Sequence, residues 1–210
     1  MQSIKEIRTI TSYSEFKFKE KCSEFIGQAF PCGSIHSADE ILNSTKKKYH
    51  NATHNCFAYN IFRDQIRYSD DGEPSGTAGI RILNAINHFQ LVNILIIVTR
   101  FYGGTKLGVG PLGKAYYDAA VGAVNNAGII TKINFSKIRI QFDFEHSSSV
   151  HHFINYLSAR EIKNLFEKKP VIECSIIPEN LNSLESNLTQ ISRGKIKVSL
   201  IEEDIFLLCY

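Results

Sequence analysis

Two short segments of this chain bring together residue types that bind ions or transfer protons. The first, residues 69–79, holds the carboxylates Asp70, Asp71 and Glu73 beside three glycines, and it has no large apolar side chain. Glycines allow backbone angles that other residues avoid, and Pro74 disfavours helical geometry at the residue before it. The segment is therefore predicted to form a shaped loop, and such loops on a rigid scaffold often carry function.

The carboxylates of this loop admit two interpretations. They precede a predicted helix whose first N–H groups lack intrahelical partners, so a carboxylate or Ser75 could cap those donors. Alternatively, Asp70, Asp71 and Glu73 could hold Mg²⁺ or Ca²⁺, which prefer oxygen ligands. Their spacing is not that of an EF-hand, and three carboxylates would repel a bound phosphate. We therefore favour capping and charge pairing, and we expect neither a metal nor a cofactor.

The second segment, residues 99–115, is rich in glycine and in cations. A stretch that ends at Lys114 fits the G-x-x-x-x-G-K spacing with which phosphate-binding loops wrap phosphates. However, Ala115 stands where such a loop needs a hydroxyl for Mg²⁺, and the glycines begin well beyond the end of the preceding strand. A nucleotide site is not predicted; instead, Arg100, Lys106 and Lys114 at the start of a helix are expected to attract anions in general.

A third cluster, His50, His54 and Cys56, contains residue types that bind zinc. The spacing H-x₃-H-x-C is not a common structural-zinc pattern, and no second Cys/His pair accompanies it. A nucleophilic Cys56 activated by His54 is conceivable, but an offset of two residues does not establish contact. Zinc binding and thiol chemistry stay open as alternatives to simple burial of Cys56.

Length and composition are those of a soluble, folded protein. The 210 residues, 43% hydrophobic and 21% charged, suffice for two small domains. The first residues contain no signal-peptide hydrophobic region, and the apolar run at 91–98 is far shorter than the roughly 20 residues that span a bilayer. The five cysteines form no C-x-x-C pair, which indicates free thiols in a reducing compartment. We expect a cytoplasmic protein without membrane association.

The small positive charge is unevenly distributed. Residues 1–131 carry 14 Lys and Arg against 11 Asp and Glu, whereas residues 132–210 carry 10 of each. The net charge of +3 therefore lies entirely in the first part. This permits an RNA or ribosomal partner without requiring one, because nucleic-acid binders are usually more strongly basic.

The first part alternates strand and helix patterns around these loops. One helix is predicted to begin with a Ser37 cap and an acidic first turn and to close with the lysines at 46–48, which complement its dipole. A second is predicted to start near Thr77, and a third to run from Pro111 to Asn126. Strands are predicted over 13–18, 56–62 and 91–99, the last as a buried β-branched run.

The second part has a simpler pattern. Strands are predicted over 136–144, 162–167, 171–177 and 195–208, with helices over 147–159 and 180–192. The resulting order, β-α-β-β-α-β, is typical of the ferredoxin-like fold. We expect two domains, 1–132 and 136–210, joined by a linker near residues 131–136.

Three separate blocks of the sequence carry a family resemblance. Residues 52–59, 70–79 and 98–108, followed by the pair 115–116, resemble the YigZ/Impact family in content and in order. The resemblance covers the first part closely and the second more weakly. It implies an α+β protein whose N-terminal α/β domain is like the second domain of a small-subunit ribosomal protein and like domain IV of elongation factor G. A ferredoxin-like C-terminal domain follows.

By the same resemblance, the eukaryotic relatives regulate translation by binding partners, and no catalytic activity is established for the family. The functional surface that the resemblance implies, with the cation Lys114 added, consists of His54, Asn55, Asp70, Asp71, Glu73, Arg100, Gly103, Gly104, Lys106, Gly108 and Lys114. The chain departs from the family pattern where Phe101 precedes Tyr102, where Pro111 and Gly113 interrupt a usual Gly-Gly-Leu-Val segment, and at Glu24, where relatives often carry a cation.

Two functions are compatible with this pattern. The favoured one is a non-enzymatic protein that binds the translation machinery, through RNA or through a ribosome-associated protein. The alternative is a hydrolase or transferase in which the Asp70/Asp71/Glu73 loop holds a divalent metal and the Arg100/Lys106 loop holds an anionic substrate. Catalytic residues are not assigned, and the oligomeric state stays open. Both functions require the two loops to face each other.

Overall fold

The protein is an α+β structure, seen in a computed structural model that describes residues 4–63 and 65–208. Within these residues it has two five-stranded sheets and five α-helices. It divides into two compact units. The first unit comprises Arg8–Thr131, and the second comprises residues 132–208 together with residues 4–7. The α+β class is the one that the sequence predicts.

The elements follow one another along the chain as follows. The strands are β1 (Glu6–Ile10), β2 (Ser14–Glu20), β3 (Ser23–Pro31), β4 (His54–Ile61), β5 (Gln65–Ser69), β6 (Ile94–Phe101), β7 (Ile129–Gln141), β8 (Arg160–Phe166), β9 (Pro170–Ile176) and β10 (Lys197–Leu208). The helices are α1 (Ile35–Lys48), α2 (Gly79–His88), α3 (Val109–Ala127), α4 (Ser147–Tyr156) and α5 (Leu181–Ser192).

The sheet of the first unit is antiparallel and runs in the order β2-β3-β6-β4-β5. Helices α2 and α3 pack on one face and α1 packs on the other. The central strand β6 contributes side chains to the hydrophobic cores on both faces of the sheet. Ile96 and Val98 join the core under α2 and α3, and Leu95 and Ile97 join the core under α1. A strand buried on both faces must be apolar at successive positions, which is why the predicted apolar run lies at the centre of this sheet.

Helix α1 begins earlier than the sequence pattern predicts. Its N-cap is Ser34, whose hydroxyl accepts a hydrogen bond of 3.2 Å from the backbone N–H of Ser37. The prediction of a Ser37 cap is therefore wrong, and the first turn contains no acidic residue. An N-cap residue must stand in extended geometry just outside the helix, and Ser34 does so while Ser37 already lies inside. The basic last turn at 46–48 is confirmed.

The sheet of the second unit contains the order β10-β7-β9-β8, and β1 also pairs with β7. Helices α4 and α5 supply Val150, Ile154, Leu184 and Leu188 to a core with β7 and β9. The predicted elements of this part are confirmed; β7 begins at Ile129, seven residues before the predicted start, and the other ends differ by up to three residues.

Residues 131–136 are not the separate linker that is predicted, although the two units do divide at this place, between Thr131 and Lys132. These residues lie inside β7, where Phe135 is 3% exposed and the backbone N–H of Asn134 donates to the carbonyl of Lys5. The polar residues that suggest a linker are satisfied by cross-strand partners, which the local sequence does not reveal. The division between the units falls inside this strand.

Three strands, β1, β3 and β5, are not predicted. Strand β5 carries exposed side chains along almost its whole length, so it lacks the alternating pattern that signals a half-buried strand. Strand β3 contains the buried polar Gln28 and a glycine, Gly27, whose hypothetical Cβ would lie 2.1 Å from the carbonyl oxygen of Ala119. That glycine is required because α3 crosses β3 too closely for a side chain.

Within residues 4–63 and 65–208, no helix is both long enough and apolar enough to cross a membrane.

Candidate functional site

Asp70 organises the acidic loop by capping α2 across a gap in sequence. Its Oδ1 accepts hydrogen bonds from the backbone N–H groups of Ala78 at 2.9 Å and Gly79 at 2.8 Å, and its Oδ2 accepts one from Gly76 at 2.9 Å. Partial burial acts to raise the pKa of Asp70, but these three N–H donors outweigh it and lower the pKa below its usual value. The capping interpretation of this carboxylate therefore holds in the structure.

Gly79 is required where α2 starts against the end of β5. A Cβ at this position would lie 2.7–2.8 Å from backbone atoms of Ser69. The backbone at the start of α2 therefore contacts the backbone at the end of β5, and the loop between them is compact. This close approach brings the carboxylate of Asp70 to the first N–H groups of the helix.

Asp71 links the acidic loop to α1 and β4. Its Oδ2 accepts a hydrogen bond of 2.7 Å from the backbone N–H of Asn55, and its Oδ1 lies 3.0 Å from the Nζ of Lys46. Its backbone has a φ of +44°, a left-handed value that the flanking Gly72 at +90° continues. Asp71 therefore holds a loop conformation in place, and both of its carboxylate oxygens already have partners.

Glu73 and Arg100 form a buried ion pair that joins the two loops. The Nη1 of Arg100 donates to Oε1 of Glu73 at 2.6 Å, and the hydroxyl of Tyr116 donates to the same oxygen at 2.7 Å. The side chains of Arg100 and Glu73 are only 6% and 3% exposed. Burial, and after it the neighbouring Cys56 thiol and Glu73 carboxylate, raise the pKa of Tyr116 well above its usual value.

The guanidinium of Arg100 is enclosed by aromatic rings. Its Cζ lies 5.4 Å from the ring centroids of both Phe25 and Tyr102, a distance typical of cation–π contacts. Its Nη2 donates to the hydroxyl of Ser23 at 3.3 Å, and its Nε has no hydrogen-bond partner among the described residues. Arg100 was expected to contact an external anion; instead, its charge is compensated inside the protein.

His54 and Cys56 do not form a nucleophile–base pair. The Nδ1 of His54 donates to the carbonyl of Asp71 at 2.8 Å, which directs its Nε2 toward Glu73 at 3.9 Å. The thiol of Cys56 donates to the carbonyl of Asp70 at 2.9 Å and is fully buried. Burial raises the pKa of the Cys56 thiol far above its usual value. The thiol-catalysis alternative is therefore not supported, because thiolate nucleophiles need a lowered pKa and access.

Asn55 is buried in a short polar network on the α1 side of the sheet. Its Oδ1 accepts a hydrogen bond of 2.8 Å from the hydroxyl of Thr99, which in turn accepts one of 3.2 Å from Gln28. Asn55 is only 7% exposed. Its side chain therefore positions β4 against β6 and does not lie on the surface where it was expected.

The glycine-rich loop leaves the ion pair and reaches the surface. The backbone N–H of Gly103 donates to Ser23 at 3.3 Å, and a Cβ at Gly103 would lie 1.9 Å from the carbonyl oxygen of Cys22. Gly104 and Gly108 have φ values of +85° and +87°, and Gly108 is the N-cap of α3. This part of the loop is exposed, including Lys106.

Lys114 lies in the second turn of α3 and is exposed. Its Nζ pairs with Asp118, one turn further along the helix, at 2.7 Å. Such solvent-exposed pairs contribute little, so Lys114 can exchange this partner for an external anion. No contact among the described residues joins Lys114 to the acidic loop.

The structure therefore brings the two predicted loops together, but through a closed contact. The three carboxylates point to different partners: Asp70 to backbone N–H groups, Asp71 to Lys46 and Glu73 to Arg100. Across residues 4–63 and 65–208, no group of three or more His, Cys, Asp and Glu side chains is arranged to hold a metal ion. This arrangement gives no support to the metal-dependent hydrolase or transferase.

The sequence pattern does not single out Tyr116, Ser23, Tyr102 or Lys46 as site residues. For Tyr116 a signal existed, because a tyrosine on the apolar face of a helix needs a partner for its hydroxyl. Ser23 lies more than 70 residues from Arg100, and nothing in the local sequence marks it as a ligand of that guanidinium.

Comparisons with known proteins agree with the sequence blocks. The model of the Impact N-terminal domain matches residues 21–124. The chain is 30% identical over 200 residues to the IMPACT family member YvyE of Bacillus subtilis (strain 168), covering 90% of this chain and 91% of that protein. It is 25% identical over 187 residues to the IMPACT family member YigZ of Escherichia coli (strain K12), covering 87% and 92%. A crystal structure described as that of an hypothetical protein shares the fold, with a TM-score of 0.69 at 22% identity over 96% of this chain and 100% of that one.

Proposed function

The chain belongs to the IMPACT family, which is associated with the regulation of translation, and on that premise we propose that it is a non-catalytic regulator that binds RNA of the translation machinery. The binding surface in this proposal is the glycine-loop surface, defined as Tyr102, Gly103, Gly104, Lys106, Gly108 and Lys114. These residues follow one another from the end of β6 into α3, and all are exposed.

The observation that carries the proposal is the buried ion pair of Glu73 and Arg100. The Nη1 of Arg100 lies 2.6 Å from the Oε1 of Glu73, so its charge is already paired. The pair therefore holds the two loops together and leaves no open acid–base cleft between them. The pair also sets the direction of the next residues, since the Tyr102 ring packs on the Arg100 guanidinium. A rigid base of this kind presents the glycine-loop surface at low entropic cost.

The chemistry of this surface favours RNA as the ligand. Tyr102 is 44% exposed, and an exposed aromatic ring can stack on an unpaired base. Lys106 and Lys114 lie in the same exposed loop and helix start, where an ammonium group can approach a phosphate. Glycines between them let the chain approach the nucleic-acid backbone closely. A ribosome-associated protein as the partner is the competing outcome of the test below.

Filter binding of the full chain tests this proposal. The probes are purified ribosomes and a synthetic RNA hairpin with an unpaired loop, each titrated between 50 and 300 mM salt. Two phosphate contacts give a log–log slope of about −1.4 to −1.8, so the affinity should fall roughly tenfold between 50 and 200 mM. Lys106→Ala should reduce the slope by about 0.7 to 0.9. Tyr102→Ala should weaken binding by about 1–3 kcal/mol with little change in slope.

The matched control is Lys163→Ala, which removes an exposed lysine from β8 in the second unit and should leave binding unchanged. Absence of saturable binding to either probe at 50 mM salt would refute the RNA proposal. Binding to ribosomes that survives nuclease treatment, without binding to the hairpin, would replace it with a protein partner.

The family resemblance also supports proposals for the two domains and for the location of the protein. We propose that residues 136–210 form a ferredoxin-like domain, supported by the element order β7-α4-β8-β9-α5-β10 and by a sheet in which β10-β7-β9-β8 are neighbours. We propose that the expected domain 1–132 resembles the second domain of a small-subunit ribosomal protein and domain IV of elongation factor G; its compact part is the first unit, Arg8–Thr131, since residues 4–7 belong to the second unit. A cytoplasmic location is supported by the four cysteines of the described residues, which are all free thiols.

A further inference from the structure

A groove runs between β2 and α3 in the first unit, beside Lys114 of the glycine-loop surface, which pairs with Asp118 on the wall of the groove. Its volume is about 590 Å³. The β2 side and the α3 side contribute, among others, Phe16, Phe18, Glu20, Asp118, Val121 and Asn125. None of these residues takes part in the ion-pair network of Glu73 and Arg100.

Strand β2 is an edge strand, so one row of its backbone groups has no partner strand. The turn Lys21–Cys22, with φ values of +43° and +67°, is a two-residue hairpin turn of the primed type. It makes Glu20 and Ser23 a hydrogen-bonded pair. Alternation along an antiparallel ladder then directs the N–H and C=O groups of Lys17 and Lys19 outward, away from β3.

A side-chain contact supports this orientation. The carbonyl oxygen of Glu15, two residues before Lys17, accepts a hydrogen bond of 3.0 Å from the Nδ2 of Asn126 on α3. The backbone carbonyl of Glu15 therefore points away from β3, as the alternation along the ladder requires. Along residues 4–63 and 65–208, no such cap reaches the outward groups of Lys17 or Lys19, so the free segment of the edge extends from Lys17 toward the turn.

The groove has an aromatic floor. Phe16 and Phe18 lie with ring centroids 5.9 Å apart, and Phe18 stacks on Phe25 at 5.4 Å. Phe16 can lie against α3 only because Gly122 has no side chain, since a Cβ there would lie 2.2 Å from the Phe16 ring. Both Phe16 and Phe18 are only partly buried, so the floor offers apolar area to a ligand.

The walls of the groove carry negative charge. Glu20 lies at one end of β2, and Asp118 lies on α3, where its charge is partly compensated by the ion pair with Lys114. The side chains of Lys17 and Lys19 lie on the opposite face of the strand from Phe16 and Phe18, because successive side chains alternate. A ligand in the groove therefore meets two carboxylates and one ammonium group.

We propose that this groove binds an extended peptide segment of a partner protein, which adds to the sheet as a sixth strand alongside β2. The peptide hydrogen-bonds to the outward groups of Lys17 and Lys19. Its alternate side chains are apolar and pack on Phe16, Phe18 and Val121, and a Lys or Arg beside them pairs with Glu20. A free strand edge selects an extended backbone, and the acidic walls disfavour RNA. The proposal does not depend on the RNA-binding function.

A display library of random ten-residue peptides, selected on the full chain, is the probe. Selected peptides should alternate apolar residues and include a Lys or Arg, and their affinity is measured by fluorescence anisotropy. Lys17→Pro removes an outward N–H and leaves the ladder to β3 intact, a change that edge strands tolerate. It should weaken binding by about tenfold or more, the usual effect of one lost hydrogen bond plus obstruction by the ring. Lys17→Ala keeps the N–H group and should bind like the original chain.

Amide exchange gives a second measurement that does not depend on a variant. In the free chain the amides of Lys17 and Lys19 should exchange fast, and a selected peptide should protect both. The proposal is overturned if no saturable peptide is enriched, or if Lys17→Pro, shown by its melting curve to be folded, binds as well as Lys17→Ala. It is also overturned if these amides are protected in the free chain in a concentration-dependent way, which would assign the edge to self-association.

Discussion

Removing one partner of the Glu73–Arg100 ion pair should destabilise the first unit far more than removing both. Arg100→Met deletes the charge but keeps much of the side-chain volume between Phe25 and Tyr102. Among the described residues, this leaves the Glu73 carboxylate, 3% exposed, with the Tyr116 hydroxyl as its hydrogen-bond donor and with the Nε2 of His54 3.9 Å away. Breaking a buried pair in this way costs about 3–5 kcal/mol of unfolding free energy.

The reverse change leads to the same expectation. Glu73→Leu leaves the Arg100 guanidinium buried with Ser23 as its remaining hydrogen-bond partner, so it should cost about 3–5 kcal/mol as well. The double variant contains no buried charge at this position. Its cost should be close to that of a Tyr116 hydroxyl that has lost its Glu73 acceptor, about 1–3 kcal/mol. The double variant is therefore expected to be more stable than either single variant.

Urea unfolding followed by far-UV circular dichroism measures these differences. Because the two units can unfold separately, native-state hydrogen exchange of β4 and β6 amides assigns the loss to the first unit. The matched control is Lys114→Met, which breaks the exposed pair with Asp118 and should leave the curve unchanged. Single-variant costs that add up in the double variant to within about 0.5 kcal/mol would refute the reasoning.

Three further results are expected. Gly103→Ala should cost at least about 1–3 kcal/mol in urea unfolding, because its Cβ would lie 1.9 Å from the carbonyl oxygen of Cys22; Gly33→Ala, with no atom within 4 Å, should be near neutral. Asp70→Ala should cost about 0.5–2 kcal/mol at neutral pH. The folded-state pKa of Asp70 is lowered, so the difference from the original chain should persist above about pH 4 and vanish as the pH falls further. Iodoacetamide should alkylate the exposed Cys22 in the native protein and reach the buried Cys56 only on unfolding.

Specific outcomes would contradict these expectations. Equal stability of the two alanine variants at glycine positions would show that the glycine-rich loop can shift away from the turn between β2 and β3 that contains Cys22. A constant cost of Asp70→Ala down to pH 2 would show that packing, and not the charge on the cap, is responsible. Native-state alkylation of Cys56 at the rate of Cys22 would mean that the core under α2 opens readily.

The sequence predicts much of this fold where one segment carries its own signal. The segment that forms β6 is apolar at successive positions. A strand buried on both faces is one of the few structures that requires apolar residues at successive positions. The lysines at 46–48 mark a helix end that the structure contains. By contrast, β5 is exposed along its length and is a strand only because β4 offers it a partner.

The candidate site divides in the same way. Both loops are recognisable from their glycines and charges, and a cap on α2 by a carboxylate or by Ser75 is predicted. That Asp70 is this cap, eight residues before Ala78, is seen only in the structure. The internal partners of Arg100 cannot be predicted from the sequence pattern. A cation in a glycine-rich loop resembles an anion ligand until Glu73, Tyr116 and Ser23 are seen around it.

By itself, the order of residues determined which segments are loops, which helices have charged ends, and to which family the chain belongs. Those properties depend on neighbours within a few positions, where spacing is set by the covalent chain. The tertiary structure alone decided that Arg100 is neutralised inside the protein, that residues 131–136 are a strand, and that β2 is left with a free edge. Each of these depends on groups distant in sequence, and burial raises the free-energy cost of leaving such a group unpaired, so the fold and not the local pattern selects its partner.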